Sequence, residues 1–194
     1  MRTQQERSLA TQARLLDATI AVLVERGYAG TSTPEVCRVA GVSRGAQLHH
    51  YPTKAQLVAA AVERLFQTRH EQFRRRMEDV GSDRDRLDAA FEALWGIYSG
   101  PTLYAWMELV VAARTDAALR EHVAAVDRRF FAQARETFAR VFGDALPEPQ
   151  AAAATRLVTS VFDGLALHHV IEPDPAVVRG VLDLFKHLAR SLLP

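Results

Sequence analysis

The sequence predicts an all-α protein, with a three-helix headpiece built on a helix-turn-helix at the N-terminus and a larger C-terminal helical body. Three observations predict it. Apolar residues recur at three- and four-residue spacing almost throughout the 194 residues, the period of an amphipathic helix. No stretch alternates apolar and polar residues with the β-branched enrichment and turn signals of a hairpin. Residues 31–54, TSTPEVCRVAGVSRGAQLHHYPTK, read as two short helices meeting at a glycine turn, followed at once by the start of a third.

In chain order, Leu16, Ile20 and Leu23 give a first helix one apolar stripe, ending near Gly27. Ser32-Thr33-Pro34-Glu35 has the spacing of a capping box with a proline tolerated in the first turn, so a second helix runs through Val36 and Val39 to Ala40. Gly41 ends it, Val42 tucks into the angle, and Ser43 N-caps a third helix from about Arg44 to His50. Pro52 forbids simple continuation. Thr53 and Gln56 repeat the capping-box spacing and open a long helix, 53 to about 79, carrying Leu57, Ala61, Leu65, Phe66, His70, Phe73 and Met77 until Gly81.

The next helix, about 84–99, places Leu87, Phe91, Leu94, Trp95 and Tyr98 on one side. Gly100-Pro101 separates it from another with Leu103, Met107, Val110 and Val111. After Thr115-Asp116 a helix of about 25 residues carries Leu119, Val123, Val126, Phe130, Ala134, Phe138 and Val141, ending at Gly143 ahead of Pro147 and Pro149. The last two helices, about 150–170 and 175–193, flank Glu172-Pro173-Asp174-Pro175. Val158, Val161, Phe162 and Leu165, then Val177, Val181, Leu182, Leu184, Phe185 and Leu188, exceed a single apolar stripe.

At 48% hydrophobic and 24% charged residues, the composition suits a globular chain that buries a proper core and excludes disordered and collagen-like classes. No apolar run approaches the ~20 residues needed to span a bilayer, and residues 1–7 lead into no apolar signal core, so a cytoplasmic location is expected. Cys37 is the only cysteine, forms no internal disulfide, and lies on the apolar side of a short helix, where a packed thiol is expected. Net charge is only +1, but residues 1–54 hold seven basic against four acidic side chains and the rest of the chain seventeen against nineteen. That asymmetry favours phosphate contact by the N-terminal part.

The segment Ala40-Gly41-Val42-Ser43-Arg44-Gly45, followed by His49-His50-Tyr51-Pro52-Thr53-Lys54, resembles the N-terminal domain of the TetR family of transcriptional repressors. That family repeats alanine-glycine-valine-serine, a basic residue, glycine, and then a His-aromatic-Pro/Lys segment. Two positions depart from it: Gln47 stands where an aliphatic residue is usual, and Leu48 where a phosphate-contacting tyrosine is usual.

Arg44 sits in the first turn of the presumed recognition helix, where side chains reach base edges or phosphate, and Gly45 leaves the backbone unobstructed. Gln47 has two open readings, an adenine contact or a buried, satisfied amide. Leu48 suits a thymine methyl. Arg44 to Lys54 contains no acid, unlike an ordinary solvated helix. The resemblance implies that His49, His50 and Lys54 touch phosphate or base, that Ser32 and Thr33 reach across the groove, with Ser43 completing the set, and that Tyr51 packs in the headpiece core.

Helices apolar on two sides need two burial partners: either they fill a monomer core, or one side meets a second copy across a two-fold axis. The resemblance favours the second, through the last two helices, with Val158, Phe162, Leu165, Val181, Phe185 and Leu188 as the expected seam. It also implies an effector cavity in the aromatic-rich body. Most of those aromatics are core by composition, but His70, Trp95, Tyr98, Met107 and Phe131 form a subset with the polar handles to hold a mostly apolar small molecule.

Neither His49-His50 nor His168-His169 makes a metal site, because adjacent helical residues point about 100° apart and no cysteine or carboxylate stands at zinc-site spacing. His168 or His169 could instead line a cavity or the seam. No nucleophile elbow, phosphate-cradling glycine loop or HExxH motif is present, so neither an enzyme nor a cofactor is expected. Arg74-Arg75-Arg76 is explained by the dipole at a helix C-terminus. The expectation is a homodimeric, ligand-responsive regulator, most readily a repressor released from a palindromic operator. Residues 1–52 would bind DNA, and residues 53–194 would bind effector and dimerise. The alternatives are a DNA-binding regulator controlled by a protein partner, and a helical ligand-binding protein that has lost operator binding.

Overall fold

The computed structural model describes residues 3–78, 80, 83–142 and 146–192, and among the described residues it holds helices and no strands. In order these are α1 (Gln4–Gly30), α2 (Thr33–Ala40), α3 (Arg44–His50), α4 (Lys54–Glu78), α5 (Asp83–Tyr98), α6 (Pro101–Ala113), α7 (Ala117–Phe142), α8 (Glu148–Ile171) and α9 (Pro175–Leu192). The fold is all-α with an N-terminal helix-turn-helix, as the periodicity predicts. The expected helix ends at Asp79, Gly81, Gly143 and Leu193 lie outside the described residues.

Local chemistry explains several of the boundaries in the N-terminal part. Thr3 and Glu6 make a reciprocal capping box at the start of α1. The predicted box at α4 is also present: the Gln56 N–H donates to Thr53 Oγ1 at 3.1 Å, and the Thr53 N–H donates to Gln56 Oε1 at 3.2 Å. At α2 only half of the predicted box forms. Ser32 Oγ accepts from the Glu35 N–H at 3.4 Å, but the Glu35 carboxylate turns to Arg38 at 2.8 Å and Arg26 at 3.1 Å. Gly41 takes the left-handed conformation, φ 61° and ψ 39°, that lets α2 stop and α3 turn away.

The chain divides into two compact units, residues 1–67 with 104–128, and residues 68–103 with 129–194; their boundaries fall within α4, α6 and α7. In the first unit, Leu15, Ala18 and Val22 of α1 meet Val36, Ala40, Val42 and Leu57, with Leu16, Ala46 and Tyr51 packed against them. This core fixes the angle between α2 and α3. A second cluster joins Leu23, Val58 and Val62 to Ala105, Leu109 and Ala113 of α6 and to Leu119 and Val123 of α7. The headpiece helices thus share a core with a segment some eighty residues further along the chain.

In the second unit Phe162 is 0% exposed and meets Phe91 at 5.7 Å and Tyr98 at 5.4 Å between ring centroids. Phe73, Met77, Ala90 and Ala93 form a neighbouring cluster. Burying one such ring contributes about 1.5–3 kcal/mol. Between α5 and α9, the nearly buried Lys186 ammonium donates to Glu92 at 2.8 Å, and Arg190 donates to Asp88 at 2.5 Å.

Candidate nucleic-acid interface

Ser43 Oγ accepts from the Ala46 N–H at 3.2 Å and starts α3. From there the helical period sorts the side chains. Arg44, Gly45, Leu48 and His49 lie at spacings of one, four and five, share one face, and are exposed. Ala46, Gln47 and His50 turn towards the headpiece core. A Cβ built on Gly45 would meet nothing within 4 Å, so the protein itself imposes no need for glycine there. The outward face carries the Arg44 guanidinium at its start and Leu48 and the His49 imidazole near its end, with no carboxylate from Arg44 to Lys54.

The other expected contacts are placed differently. Ser32 is exposed at the start of α2, while Thr33 is half-buried and its Oγ1 accepts from the Arg44 guanidinium. Gln47 is 0% exposed. Its amide nitrogen donates to the Tyr51 carbonyl, and its oxygen accepts from Arg44 Nη1 at 2.7 Å. Of its two open readings the structure takes the buried amide. His50 is half-buried, with Nδ1 3.2 Å from Gln12 Nε2, a contact that ties the end of α3 to α1. His49 stacks edge-on against it at 5.1 Å and stays exposed.

Lys54 sits at the start of α4 with its ammonium turned to α1. Nζ donates to the Tyr28 carbonyl at 2.6 Å and lies 4.0 Å from the Tyr28 ring centroid, and burial lowers its pKa. Tyr28 is held from the other side as well. Gly27 breaks α1 with φ 67° and ψ 178°, freeing the Tyr28 N–H from the helical ladder, and Glu108 Oε2 of α6 accepts it at 2.8 Å. Sequence reasoning missed Gln12, Tyr28 and Glu108. Their partners lie 38, 26 and 80 residues away, so no local pattern announces them.

Two family models cover most of the chain. Residues 15–61 match bacterial regulatory proteins of the tetR family, and residues 83–194 match the C-terminal region of BetI-type transcriptional repressors. An HTH-type transcriptional regulator of Mycobacterium tuberculosis is 35% identical over 90% of each chain. The chain belongs to the TetR family. Further relatives of this TetR-type regulator include CymR of Pseudomonas putida, 38% identical over 63% of this chain and 60% of that one, and BetI of Ectopseudomonas mendocina, 31% identical over 80% of each. The crystal structure of a transcriptional regulator from Pseudomonas aeruginosa PAO1 has a TM-score of 0.71 at 25% identity, covering 100% of this chain and 96% of that one. Transcriptional regulation through a DNA-binding helix-turn-helix is therefore the activity of this TetR-family chain, and no helix among its described residues is long and apolar enough to cross a membrane.

The residues expected to meet an effector fall into both units. His70, Trp95, Tyr98 and Phe131 belong to the second unit and Met107 to the first. His70 lies 3.2 Å from Thr137 Oγ1, with its pKa lowered by burial and by Arg140. Trp95 meets the His169 ring edge-on at 5.4 Å, and His169 Nδ1 is enclosed without a hydrogen-bond partner. His168 is exposed. Tyr98 is buried on Phe162, and burial with Asp163 nearby pushes its phenol far above the ordinary range. Phe131 lies under the Arg156 guanidinium at 3.2 Å.

The residues expected at the seam also separate. Phe162 has no exposed surface, because its own chain encloses it, so it belongs to the core rather than to an outer face. Val158, Leu165, Val181 and Phe185 are half-buried, and Phe185 packs 5.1 Å from Phe91. Leu188 is exposed. Sequence reasoning left out Leu157, Leu167 and Ile171 of α8, which are exposed, as are Val177 and Leu184 of α9.

Proposed function

We propose that this regulator is a cytoplasmic homodimeric repressor that holds a palindromic operator and releases it when a small, mostly apolar effector binds. The observation that carries the DNA half is the outward face of α3, where Arg44, Gly45, Leu48 and His49 stand together on an acid-free strip. Ser32, Ser43, His50 and Lys54 flank it, and residues 1–52 form the DNA-binding part. A basic and apolar helix face of this kind suits the major groove.

Dimerisation is supported by the unpartnered faces of α8 and α9. Leu157, Gly164 and Ile171 recur at seven-residue spacing, and Val177, Gly180, Leu184 and Leu188 follow one face of α9. A mid-helix glycine costs about 1 kcal/mol relative to alanine, yet among the described residues a Cβ on Gly164 or Gly180 would meet no neighbouring atom within 4 Å. A second copy packing closely across a two-fold axis accounts for both. The effector reading rests on the second unit, where the enclosed, unpaired His169 Nδ1 beside Trp95 provides one polar anchor in aromatic surroundings. The likeness of residues 83–194 to the C-terminal region of BetI-type repressors supports the sign of regulation.

Selection of bound sequences from random duplexes, followed by a screen of small molecules for release, tests the reading. The expected outcome is an enriched palindrome bound by a dimer with strong salt dependence, and a ligand that weakens binding. Linkage makes the second arm two-sided: a ligand that weakens operator binding tenfold must bind the DNA complex tenfold more weakly. Enrichment without any releasing ligand leaves a regulator controlled by a protein partner; no enrichment removes operator binding altogether.

A further inference from the structure

We infer that Gln47 never touches DNA and instead positions Arg44 to read guanine, a specificity role that rests on the operator-binding reading above. The observation is a two-point clamp on one guanidinium nitrogen. Arg44 Nη1 donates to Gln47 Oε1 at 2.7 Å from within α3 and to Thr33 Oγ1 from the first turn of α2. Gln47 is itself fixed, being 0% exposed and donating its amide nitrogen to the Tyr51 carbonyl at the end of α3. The orientation of that amide follows from chemistry, since a carbonyl can only accept and a guanidinium can only donate.

The clamp has a directional consequence. With Nη1 engaged on the protein, the Nε and Nη2 edge of the Arg44 fork remains for a partner, and Arg44 itself is exposed. Two parallel N–H donors on one planar edge match the O6 and N7 acceptors of guanine in the major groove. A free arginine loses much rotamer freedom on binding, whereas one already held by Thr33 and Gln47 loses less and has its edge aimed. An aliphatic residue at position 47 would fill the same space and leave Arg44 held by Thr33 alone, with one point of the clamp lost. The departure from the usual aliphatic residue is therefore a change in how the base is read, made from inside the headpiece.

The test measures a ratio. On duplexes selected by the wild-type protein, guanine opposite Arg44 should be preferred over the other bases by about tenfold or more, and replacing it with 7-deazaguanine, which lacks the N7 acceptor, should remove most of that preference. Gln47→Met keeps the volume and drops the acceptor, and the preference should fall below about threefold. Adding Gln47→Met to Arg44→Ala should cost no further discrimination, because both act through one contact. Each ratio compares two duplexes on one protein preparation, so partial unfolding does not move it. If Gln47→Met does not fold, the wild-type protein supplies the measurement: the Arg44 guanidinium should show resolved, slowly rotating Nη resonances in the free protein. Full guanine preference in Gln47→Met, additive losses in the double variant, or a freely rotating Arg44 guanidinium overturns the inference while leaving operator binding intact. Failure of the wild-type protein to enrich any duplex overturns the operator reading itself.

Discussion

Lys54 holds Tyr28 with the same ammonium that the proposed phosphate contact would need. Its Nζ satisfies the Tyr28 carbonyl at 2.6 Å, yet it stands at the start of α4 beside the recognition helix, where a cation can also reach phosphate. Lys54→Ala should lower thermal stability and flatten the salt dependence of operator binding by about one unit of slope, both read on the same protein. A stability loss with an unchanged slope would assign the ammonium to Tyr28 alone. His70 gives a pH-dependent prediction. Burial, then Arg140 and Arg74, push its pKa below the ordinary 6.5, against the opposing pull of Glu71 and Glu136. As pH falls through that ordinary value the unfolded chain takes up the proton first, so stability is lost on acidification until the folded-state pKa is passed. His70→Gln, which keeps a hydrogen-bonding group for Thr137, should make the melting temperature less sensitive to pH between about 7 and 5. An identical pH profile would show that His70 does not titrate differently in the folded state.

At the scale of elements, the break in α1 at Gly27 is the feature with the sharpest cost. Its φ of 67° with ψ of 178° is a conformation essentially confined to glycine, and a Cβ there would sit 2.7 Å from Glu108 Oε2. Gly27→Ala should destabilise by about 1–3 kcal/mol in denaturant unfolding, with the Glu108 carboxylate displaced from the Tyr28 N–H. A change below a few tenths of a kcal/mol would mean that the backbone relaxes into an ordinary helix. The sequence shows why some of this was legible and some was not. Caps and glycine stops act within four residues, so Ser43, Thr53, Gln56 and Gly41 placed their helix ends directly. Gly27 reads equally well as a terminus, and only Glu108, from eighty residues away, turns that terminus into a break with helix on both sides. The outward residues of α3 were legible only in part: period groups Arg44, Gly45, Leu48 and His49, but Gln47, three residues after Arg44, stayed open between a base contact and a buried amide until its burial was known. Period does not say which protein groups meet a buried amide.

For the whole molecule, the deciding question is which apolar side of α8 and α9 faces outward. Sequence pattern shows that both helices are apolar on more than one face, but assigning a face requires knowing the neighbours, and Phe162 fell on the wrong one because Phe91 and Tyr98 come from another helix to enclose it. The outer face instead carries Ile171 at 78% exposure and Leu184 at 61%. The two faces should respond to mutation in opposite ways. Phe162→Ala empties a closed site and should cost about 3–5 kcal/mol, with loss of folded protein whatever the concentration. Leu184→Glu removes nothing from the core of its own chain; it places a carboxylate where a second copy would desolvate it without a partner. It should therefore yield a folded monomer by sedimentation that retains its helical content but no longer binds a palindromic duplex tightly, because half-site recognition by a dimer is lost. Wild-type melting should rise with protein concentration, as subunit association requires, and that rise should vanish in Leu184→Glu. A Leu184→Glu protein that sediments as a dimer and melts with the wild-type concentration dependence would place the interface elsewhere on the chain.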